Sequence, residues 1–473
     1  MKIEKSSLKN EIKKFDLNIE KVLEHWEVHH AIREIIANAI DEQRLTNTKE
    51  IEIFKDKKGN WHIRDYGRGV KYTHLTQNEN DEKLKNPDKV IGKFGIGLKD
   101  ALATFNRKNI GITIISKFGK ITTAKAQKHG FSTIETLHAL IKESEDTKFV
   151  GTEVILEGCK DEHINSAKNL FLMFSNEKLL EKTDVGEVYT KGKTSRIYIG
   201  GLLVAEEEKF LFSYNITSIT KVMRKALNRE RTNVGRTAYT PRVKDVLLQC
   251  KSEKIAELLT ADLSKFDAGQ CHDELTWIDI SVHACKLLNS LKKVIFLTSM
   301  EMFDAKNMVD DAKTSGFQVV IVPETVKEKI RDIKDYDGNP IRDLGQYTKE
   351  WNDNFKFKFV DPKKLNKQEK EIFEKTNKLF DLIGGKPSSI KKVLISETMR
   401  LDSSFSEASG LWDGTNIIIK RDQLKDLKAY AGTLLHETSH ALSGASDVSR
   451  EFELELTNII GIISSYKNKN GKT

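Results

Sequence analysis

The chain contains 473 residues, of which 31% are charged and 38% hydrophobic, and its formal net charge is +8. No apolar run is long enough to span a membrane, the opening residues do not resemble a signal peptide, and the four cysteines form no paired framework. These features exclude an integral membrane protein and a disulfide-rich scaffold, and they predict a cytoplasmic protein of two to four domains. The 70 acidic residues are interspersed among 78 basic ones, so the charge is compatible with nucleic-acid binding but does not require it.

The first predicted helix covers residues 28–43 and carries isoleucine and alanine at helical spacing. Glu34, Asn38 and Asp41 follow one another at intervals of four and three residues, so they share another face of this helix. A carboxylate such as Glu34 can deprotonate an attacking water, and the Asn38 amide offers the oxygen ligand that Mg²⁺ prefers.

Two predicted strands, over 51–54 and 61–64, come next, and the second leads into a turn that contains Asp65, Gly67 and Gly69. The polar stretch over 71–90 is predicted to form a mobile lid over a ligand. A later strand, over 150–156, contains Thr152 directly after a glycine.

Between the lid and that strand lies a glycine-rich segment that precedes an apolar helix. Its backbone N–H groups and the N-terminus of the helix can hold phosphate groups. The segment consists of Gly92, Lys93, Phe94, Gly95, Ile96, Gly97, Leu98 and Lys99.

These four pieces match the motifs ExxxNxxD, DxGxG, GxxGxGxK and a late GT, in that order. The front of the chain therefore resembles the GHKL ATPases, which include gyrase B, heat-shock chaperones, MutL and sensor histidine kinases. It looks most like the microrchidia and MutL members, which hydrolyse ATP. The resemblance implies a Bergerat-type α/β sandwich over residues 1–165 that binds ATP and Mg²⁺, and it implies a homodimer that forms when ATP closes the lid.

The resemblance also implies a role for each matched residue. Glu34 is the catalytic base, Asn38 binds Mg²⁺, and Asp65 accepts a hydrogen bond from the adenine amino group with support from Thr152. The remaining nucleotide-binding residues are Asp41, Gly67, Gly69, Gly92, Lys93, Phe94, Gly95, Ile96, Gly97 and Lys99.

The middle of the chain is predicted to contain a β-hairpin within 191–216 and a basic stretch over 221–242. GHKL ATPases that act as switches have a following domain that supplies a cation to the γ-phosphate. By that resemblance, residues 166–270 form a transducer-like α/β domain in which Arg229 or Arg231 contacts the nucleotide. The alternative is that the basic stretch is a surface patch or a nucleic-acid contact. Residues 271–365 are predicted to form a β-α-β unit followed by a charged linker.

Near the end, the predicted helix that follows a strand at 414–420 contains the pattern HExxH. His436 and His440 are four residues apart, so both imidazoles can reach one metal ion, and Glu437 lies beside them as a proton acceptor. Two imidazoles and a carboxylate with an open fourth position favour zinc. Residues 366–473 thus resemble a small α+β zincin of the gluzincin type. That resemblance implies Glu451 as the third ligand, with Asp447 and Glu455 as alternatives.

Together these features predict an α+β multidomain enzyme in which a GHKL ATPase switch controls a zinc-dependent endopeptidase that acts on a protein or peptide. Such a pairing resembles bacterial or phage conflict systems. The alternative is a microrchidia-like nucleic-acid clamp or a chaperone-like ATPase whose HExxH region is only structural.

Overall fold

In a computed structural model, the chain is a mixed α+β protein with several sheets, and it divides into two compact units, Met1–Ala284 and Cys285–Thr473. The structure describes residues 12–17, 23–75, 81–86, 90–92, 96–227, 234–402 and 406–470. No helix in these ranges is both long enough and apolar enough to cross a membrane.

The strands are β1 (Lys13–Asp16), β2 (Glu52–Lys55), β3 (Trp61–Arg64), β4 (Gly111–Ser116), β5 (Gly119–Lys128), β6 (Phe131–Lys142), β7 (Thr152–Glu157), β8 (Leu179–Lys182), β9 (Gly186–Thr190), β10 (Ser195–Ile199), β11 (Leu202–Glu207), β12 (Phe212–Ile216), β13 (Val294–Leu297), β14 (Gln318–Ile321), β15 (Phe359–Val360), β16 (Val393–Ser396), β17 (Gly410–Trp412) and β18 (Ile417–Lys420). The helices are α1 (Val28–Thr46), α2 (Asp81–Lys85), α3 (Gly97–Arg107), α4 (Asp161–Lys168), α5 (Lys221–Ala226), α6 (Arg236–Gln249), α7 (Glu253–Leu263), α8 (Ile278–Leu291), α9 (Ser299–Asp304), α10 (Lys306–Thr314), α11 (Glu324–Ile330), α12 (Leu344–Asp353), α13 (Lys367–Phe373), α14 (Thr376–Asp381), α15 (Leu427–Ser443) and α16 (Arg450–Asn470).

The first unit begins with an antiparallel sheet in the order β1-β6-β5-β4-β7-β3-β2. Buried and less buried residues alternate along β4, which is typical of a sheet with one covered face. That face packs against α1, α3 and α4, and the shared core includes Ile32, Phe105, Ile114 and Ile164. The predicted helix at 28–43 therefore lies at the centre of a two-layer arrangement, as α1.

A second sheet in the same unit has the order β11-β10-β12-β9-β8. Its β10 and β12 are parallel, and its other neighbours are antiparallel. Helix α6 lies close to β9, because a Cβ on Gly186 would be 2.6 Å from Val246 Cγ2. Arg229 and Arg231, predicted to reach the nucleotide, lie outside the described residues.

The second unit contains the predicted β-α-β unit, in which β13 and β14 are parallel and α9 and α10 connect them. The segment that was predicted to be a linker differs from that expectation. It includes α12, whose Leu344 is fully buried, and β15, which pairs with β16. The stretch folds because its few apolar residues are placed on one helix face and one strand, although its average composition is highly charged.

A four-stranded sheet in the order β15-β16-β18-β17 completes the second unit. The β-branched run that was predicted as a strand is β18, and all three of its isoleucines are buried. Helix α15, which carries the HExxH pattern, packs on this sheet through Tyr430 and Leu434. The strand β17 lies at the sheet edge, next to the same helix.

Candidate nucleotide and metal sites

A cavity of about 480 Å³ lies in the first unit between α1 and strands β3, β4 and β7. This volume falls within the range of about 300–1,000 Å³ that is usual for small-molecule sites. Four of the residues predicted to bind nucleotide line it, namely Asn38, Asp65, Gly69 and Thr152. The fold therefore brings predicted nucleotide-binding residues from three of the four sequence motifs to one cavity.

Asp65 and Thr152 are held together by their backbones and side chains. The backbone N–H groups of Gly67 and Thr152 both donate to Asp65 Oδ1, at 2.9 and 3.2 Å, and the Asp65 N–H donates to the Thr152 carbonyl at 2.9 Å. Gly151 adopts a φ of +79°, and a Cβ there would clash with the Asp65 carbonyl, so the position requires glycine. Burial raises the pKa of the Asp65 carboxyl. The late GT motif thus fixes the orientation of Asp65.

Asn38 and Asp41 form a second polar group on α1. Asp41 is fully buried, and its carboxylate accepts hydrogen bonds from the N–H groups of Ile91 and Gly92, at 2.5 and 2.8 Å. The ammonium group of Lys83 donates to Asn38 Oδ1 at 3.0 Å and to Asp41 Oδ2 at 2.7 Å. Asp41 therefore holds the start of the glycine-rich segment. The Lys83 ammonium contacts Asn38 Oδ1, the oxygen that was predicted to bind Mg²⁺.

An ion-pair network at the same cavity was not foreseen from the sequence. The Arg68 guanidinium donates to the Glu42 carboxylate at 2.9 and 3.0 Å and to the Glu82 carboxylate at 3.1 and 2.9 Å. Burial raises the pKa of the Glu42 carboxyl, but the hydrogen bonds from Arg68 outweigh burial and hold this pKa below its usual value. Glu42 follows Asn38 by four residues, and this helical spacing is the signal that could have identified it. No comparable spacing points to Glu82.

Glu34, the predicted base, is buried beside the cavity. Its Oε1 accepts hydrogen bonds from Nε and Nη2 of Arg33 at 3.1 and 2.9 Å, and both side chains are almost fully buried. A Cβ on Gly97 would clash with the Glu34 carboxylate, so this carboxylate lies directly against the N-terminal turn of α3. Among the described residues, Glu34 does not contribute to the cavity wall.

The glycine-rich segment is described only in part. Ile96 and Gly97 begin α3, and the neighbouring Leu98 lines the cavity. Lys99 is also on α3, where it is 8% exposed and, within the described part of the chain, is not one of the lining residues. The predicted phosphate-binding residues Lys93, Phe94 and Gly95 lie outside the described residues, as do 76–80 and 87–89 of the predicted lid.

Basic and aromatic side chains cover another part of the cavity wall. Lys71, Lys117, His74 and Phe118 all line the cavity, and the Lys71 ammonium lies 4.8 Å from the centre of the Phe118 ring. Burial lowers the pKa of His74. Lysines at this position favour an anionic ligand.

The second unit contains a cluster of three side chains that can hold a metal ion, and these are His436, His440 and Asp447. Asp447 Oδ1 lies 2.9 Å from His436 Nε2 and 3.1 Å from His440 Nε2, and the two Nε2 atoms are 3.3 Å apart. Ligand atoms around a tetrahedral zinc with bonds of about 2.0 Å are roughly 3.3 Å apart. The donor set therefore fits zinc in chemistry and in spacing.

The orientation of His440 also suits a metal ligand. His440 Nδ1 lies 2.8 Å from the carbonyl oxygen of Ala445, so an Nδ1–H there would donate to it and leave Nε2 as the lone-pair atom. Phe452 is buried and stacks on the His440 ring, with 4.3 Å between the ring centres. These contacts restrict the ring to one orientation.

The third member of the cluster is Asp447, whereas Glu451 is exposed in the first turn of α16 and is not part of it. Gly444 ends α15 in the left-handed conformation, with φ +67°, so the chain turns back over the histidines at once and Asp447 reaches them. On α16 the residue that faces the histidines is Phe452. Glu455, the other alternative, accepts a hydrogen bond from Asn458 at 3.3 Å.

Glu437 lies next to β17, the edge strand of the sheet. It is 6% exposed, it accepts a hydrogen bond from the backbone of Trp412 on β17, and burial raises its pKa to about 7. A Cβ on Gly410 would be 2.8 Å from Glu437 Oε1, so this glycine lets β17 approach the carboxylate closely. A carboxyl group in this environment can exchange a proton near neutral pH.

Comparisons with known proteins identify relatives in Mycoplasma pneumoniae. A family model described as the Mycoplasma pneumoniae MPN635 N-terminal domain matches residues 162–253. An uncharacterized protein of Mycoplasma pneumoniae is 37% identical over 238 residues, which cover 49% of this chain and 95% of the relative. A second one is 25% identical over 349 residues, covering 66% of this chain and 95% of that relative. Because the first relative is matched over nearly its whole length, the chain belongs to the same family as that Mycoplasma pneumoniae protein.

Proposed function

We propose that this chain is an ATP-binding and ATP-hydrolysing protein of the GHKL type that carries a zinc-dependent peptidase module. The observation that carries the nucleotide part is the pairing of Asp65 with Thr152, which lies 87 positions later in the sequence. The pairing turns an acceptor carboxylate toward a cavity of nucleotide size, with Asn38 on the opposite helix. A carboxylate oxygen at the wall of this cavity can accept a hydrogen bond from an adenine amino group, which supports the proposal.

Hydrolysis in this proposal depends on Glu34. A buried carboxylate beside the N-terminus of α3 is suited to orient a water and to accept its proton. The Arg33 guanidinium holds the Glu34 carboxylate. The step therefore requires this carboxylate to turn from Arg33 toward the nucleotide, while the Asn38 amide supplies an oxygen ligand for Mg²⁺.

The peptidase part rests on the cluster of His436, His440 and Asp447 together with Glu437. When bound, zinc would polarise a peptide carbonyl and make a water acidic enough to react near neutral pH. Glu437 would accept a proton from the attacking water and would return it to the leaving amine. Strand β17 is the sheet edge nearest to Glu437, so an extended peptide that pairs with this edge would lie against the carboxylate.

Because both modules are in one polypeptide, we propose that nucleotide binding controls peptide cleavage. The test compares the purified wild type with Asp65→Asn and His436→Ala variants. Zinc content is measured by mass spectrometry, ATP binding by calorimetry, and peptide cleavage with ATP or a non-hydrolysable analogue. We expect one zinc per wild-type chain, and we expect peptide cleavage to be lost in both Asp65→Asn and His436→Ala. Absence of stoichiometric zinc would refute the peptidase and leave a nucleotide-dependent clamp, which a salt-dependent nucleic-acid binding assay then tests.

A further inference from the structure

The short helix α2 is attached to the nucleotide cavity by two residues that follow one another in the chain. Glu82 pairs with Arg68 at 2.9 Å, and Lys83 donates to Asn38 and Asp41 at 3.0 and 2.7 Å. The two contacts differ in exposure, because the Glu82 side chain is 45% exposed and the Lys83 side chain only 12%. The Lys83 contact is therefore the less hydrated of the two.

The Lys83 ammonium contacts Asn38 Oδ1, which is the oxygen atom that a divalent cation is proposed to bind. Mg²⁺ binds carboxylate and amide oxygens at about 2.0–2.1 Å, and it tolerates few departures from octahedral geometry. An ammonium already in contact with Asn38 Oδ1 and Asp41 Oδ2 fills that space, and its positive charge repels a second cation. The buried Asp41 side chain, which is 0% exposed, makes this repulsion poorly screened by salt.

We propose that Lys83 is a built-in counter-cation that blocks the metal side of the cavity until a metal–nucleotide complex displaces it. The proposal rests on the nucleotide site described above and adds a regulatory contact to it. Displacement of Lys83 also removes a contact that attaches α2 to α1, so binding of the metal weakens the attachment of this helix. The apparent affinity for the metal is then reduced by the fraction of molecules in which Lys83 is in place.

The experiment uses the full-length chain with a His436→Ala background, so that the histidine cluster does not take up the probe metal. Binding of Mn²⁺ alone is measured by electron paramagnetic resonance, and binding of Mg²⁺–ATP by calorimetry. Lys83→Gln removes the cation and keeps a polar side chain of similar length. Lys85→Gln is the matched control, because Lys85 is an exposed residue on the same helix and the substitution changes the net charge equally.

We expect Lys83→Gln to lower the Kd for Mn²⁺ by about tenfold if Lys83 is in place in about nine molecules of ten, and we expect Lys85→Gln to leave it unchanged. Lys83→Arg keeps the charge and should bind Mn²⁺ as weakly as the wild type. This variant tests the role of the charge even if Lys83→Gln is less stable and melts at a lower temperature. An unchanged or raised Kd in Lys83→Gln, or equal shifts in both glutamine variants, would overturn the proposal. Failure of every variant to bind ATP would refute the proposed function, and the Mn²⁺ measurement would still decide the role of Lys83.

Discussion

The third zinc ligand is the point at which geometry and family resemblance predict different residues. Asp447 lies 2.9 and 3.1 Å from the two imidazole nitrogens, whereas Glu451 is exposed on the next helix. We therefore predict that Asp447→Ala loses zinc and that Glu451→Ala keeps it. The two substitutions remove the same type of group from positions four residues apart, which makes them a matched pair.

The size of the effect follows from what each substitution removes. Asp447→Ala leaves two ligand atoms 3.3 Å apart and removes the carboxylate from the cluster. Loss of a group that merely supports a ligand weakens metal binding by about 10- to 100-fold. Loss of a direct ligand should therefore weaken it by at least about 100-fold, or about 2.7 kcal/mol. The fold should tolerate the change, because the Asp447 side chain is 67% exposed.

Zinc affinity is measured by competition with a chromogenic chelator, and cobalt substitution reports the ligand geometry through the visible spectrum. Thermal melting of the metal-free variants controls for misfolding. The opposite result, with zinc retained by Asp447→Ala and lost by Glu451→Ala, would show that α16 moves when the metal binds and that Asp447 is not the third ligand.

Three further substitutions test the proposed chemistry. In Asp65→Asn, the side-chain oxygen should still accept a hydrogen bond from the Thr152 N–H, but the new NH₂ group would face the adenine amino group, which is also a donor. The Kd for ATP should therefore rise by about 100-fold. Calorimetry measures this Kd, and an unchanged value would exclude Asp65 from adenine recognition. Glu34→Gln should bind ATP normally and hydrolyse it at least about 100-fold more slowly, whereas equal turnover in a phosphate-release assay would remove Glu34 as the base. Glu437→Gln should retain zinc and lose peptide cleavage, and undiminished cleavage would exclude it as the proton acceptor.

Local sequence patterns predicted the parts of the cavity that depend on spacing along one helix or on a required glycine. Asn38 faces the cavity because it follows the helical repeat of α1. Gly151 was informative because its left-handed backbone and its approach to Asp65 exclude any side chain. Such constraints act within a few residues or through the backbone, so they leave a trace in a single sequence.

The third member of the metal cluster depended on a turn whose geometry the sequence does not specify. Gly444 ends α15, but the number of residues needed to return to the histidines depends on where Phe452 packs. Since Phe452 occupies the face of α16 toward the rings, the neighbouring Glu451 points elsewhere, and Asp447 in the turn reaches them instead.

Two cations at the proposed active site, Arg33 and Lys83, were not predicted from the sequence. Arg33 adjoins Glu34 in sequence, and adjacent residues on a helix usually point in different directions, yet the two are paired in the core. Lys83 contacts Asn38 from a separate helix, 45 positions away. The carboxylate proposed as the base and the amide oxygen proposed as the metal ligand thus each accept a hydrogen bond from a cation of the protein itself. In the proposed mechanism, hydrolysis requires that Glu34 turns away from Arg33 and that Lys83 leaves Asn38. A slow basal ATPase rate is therefore expected, because both contacts have to be broken.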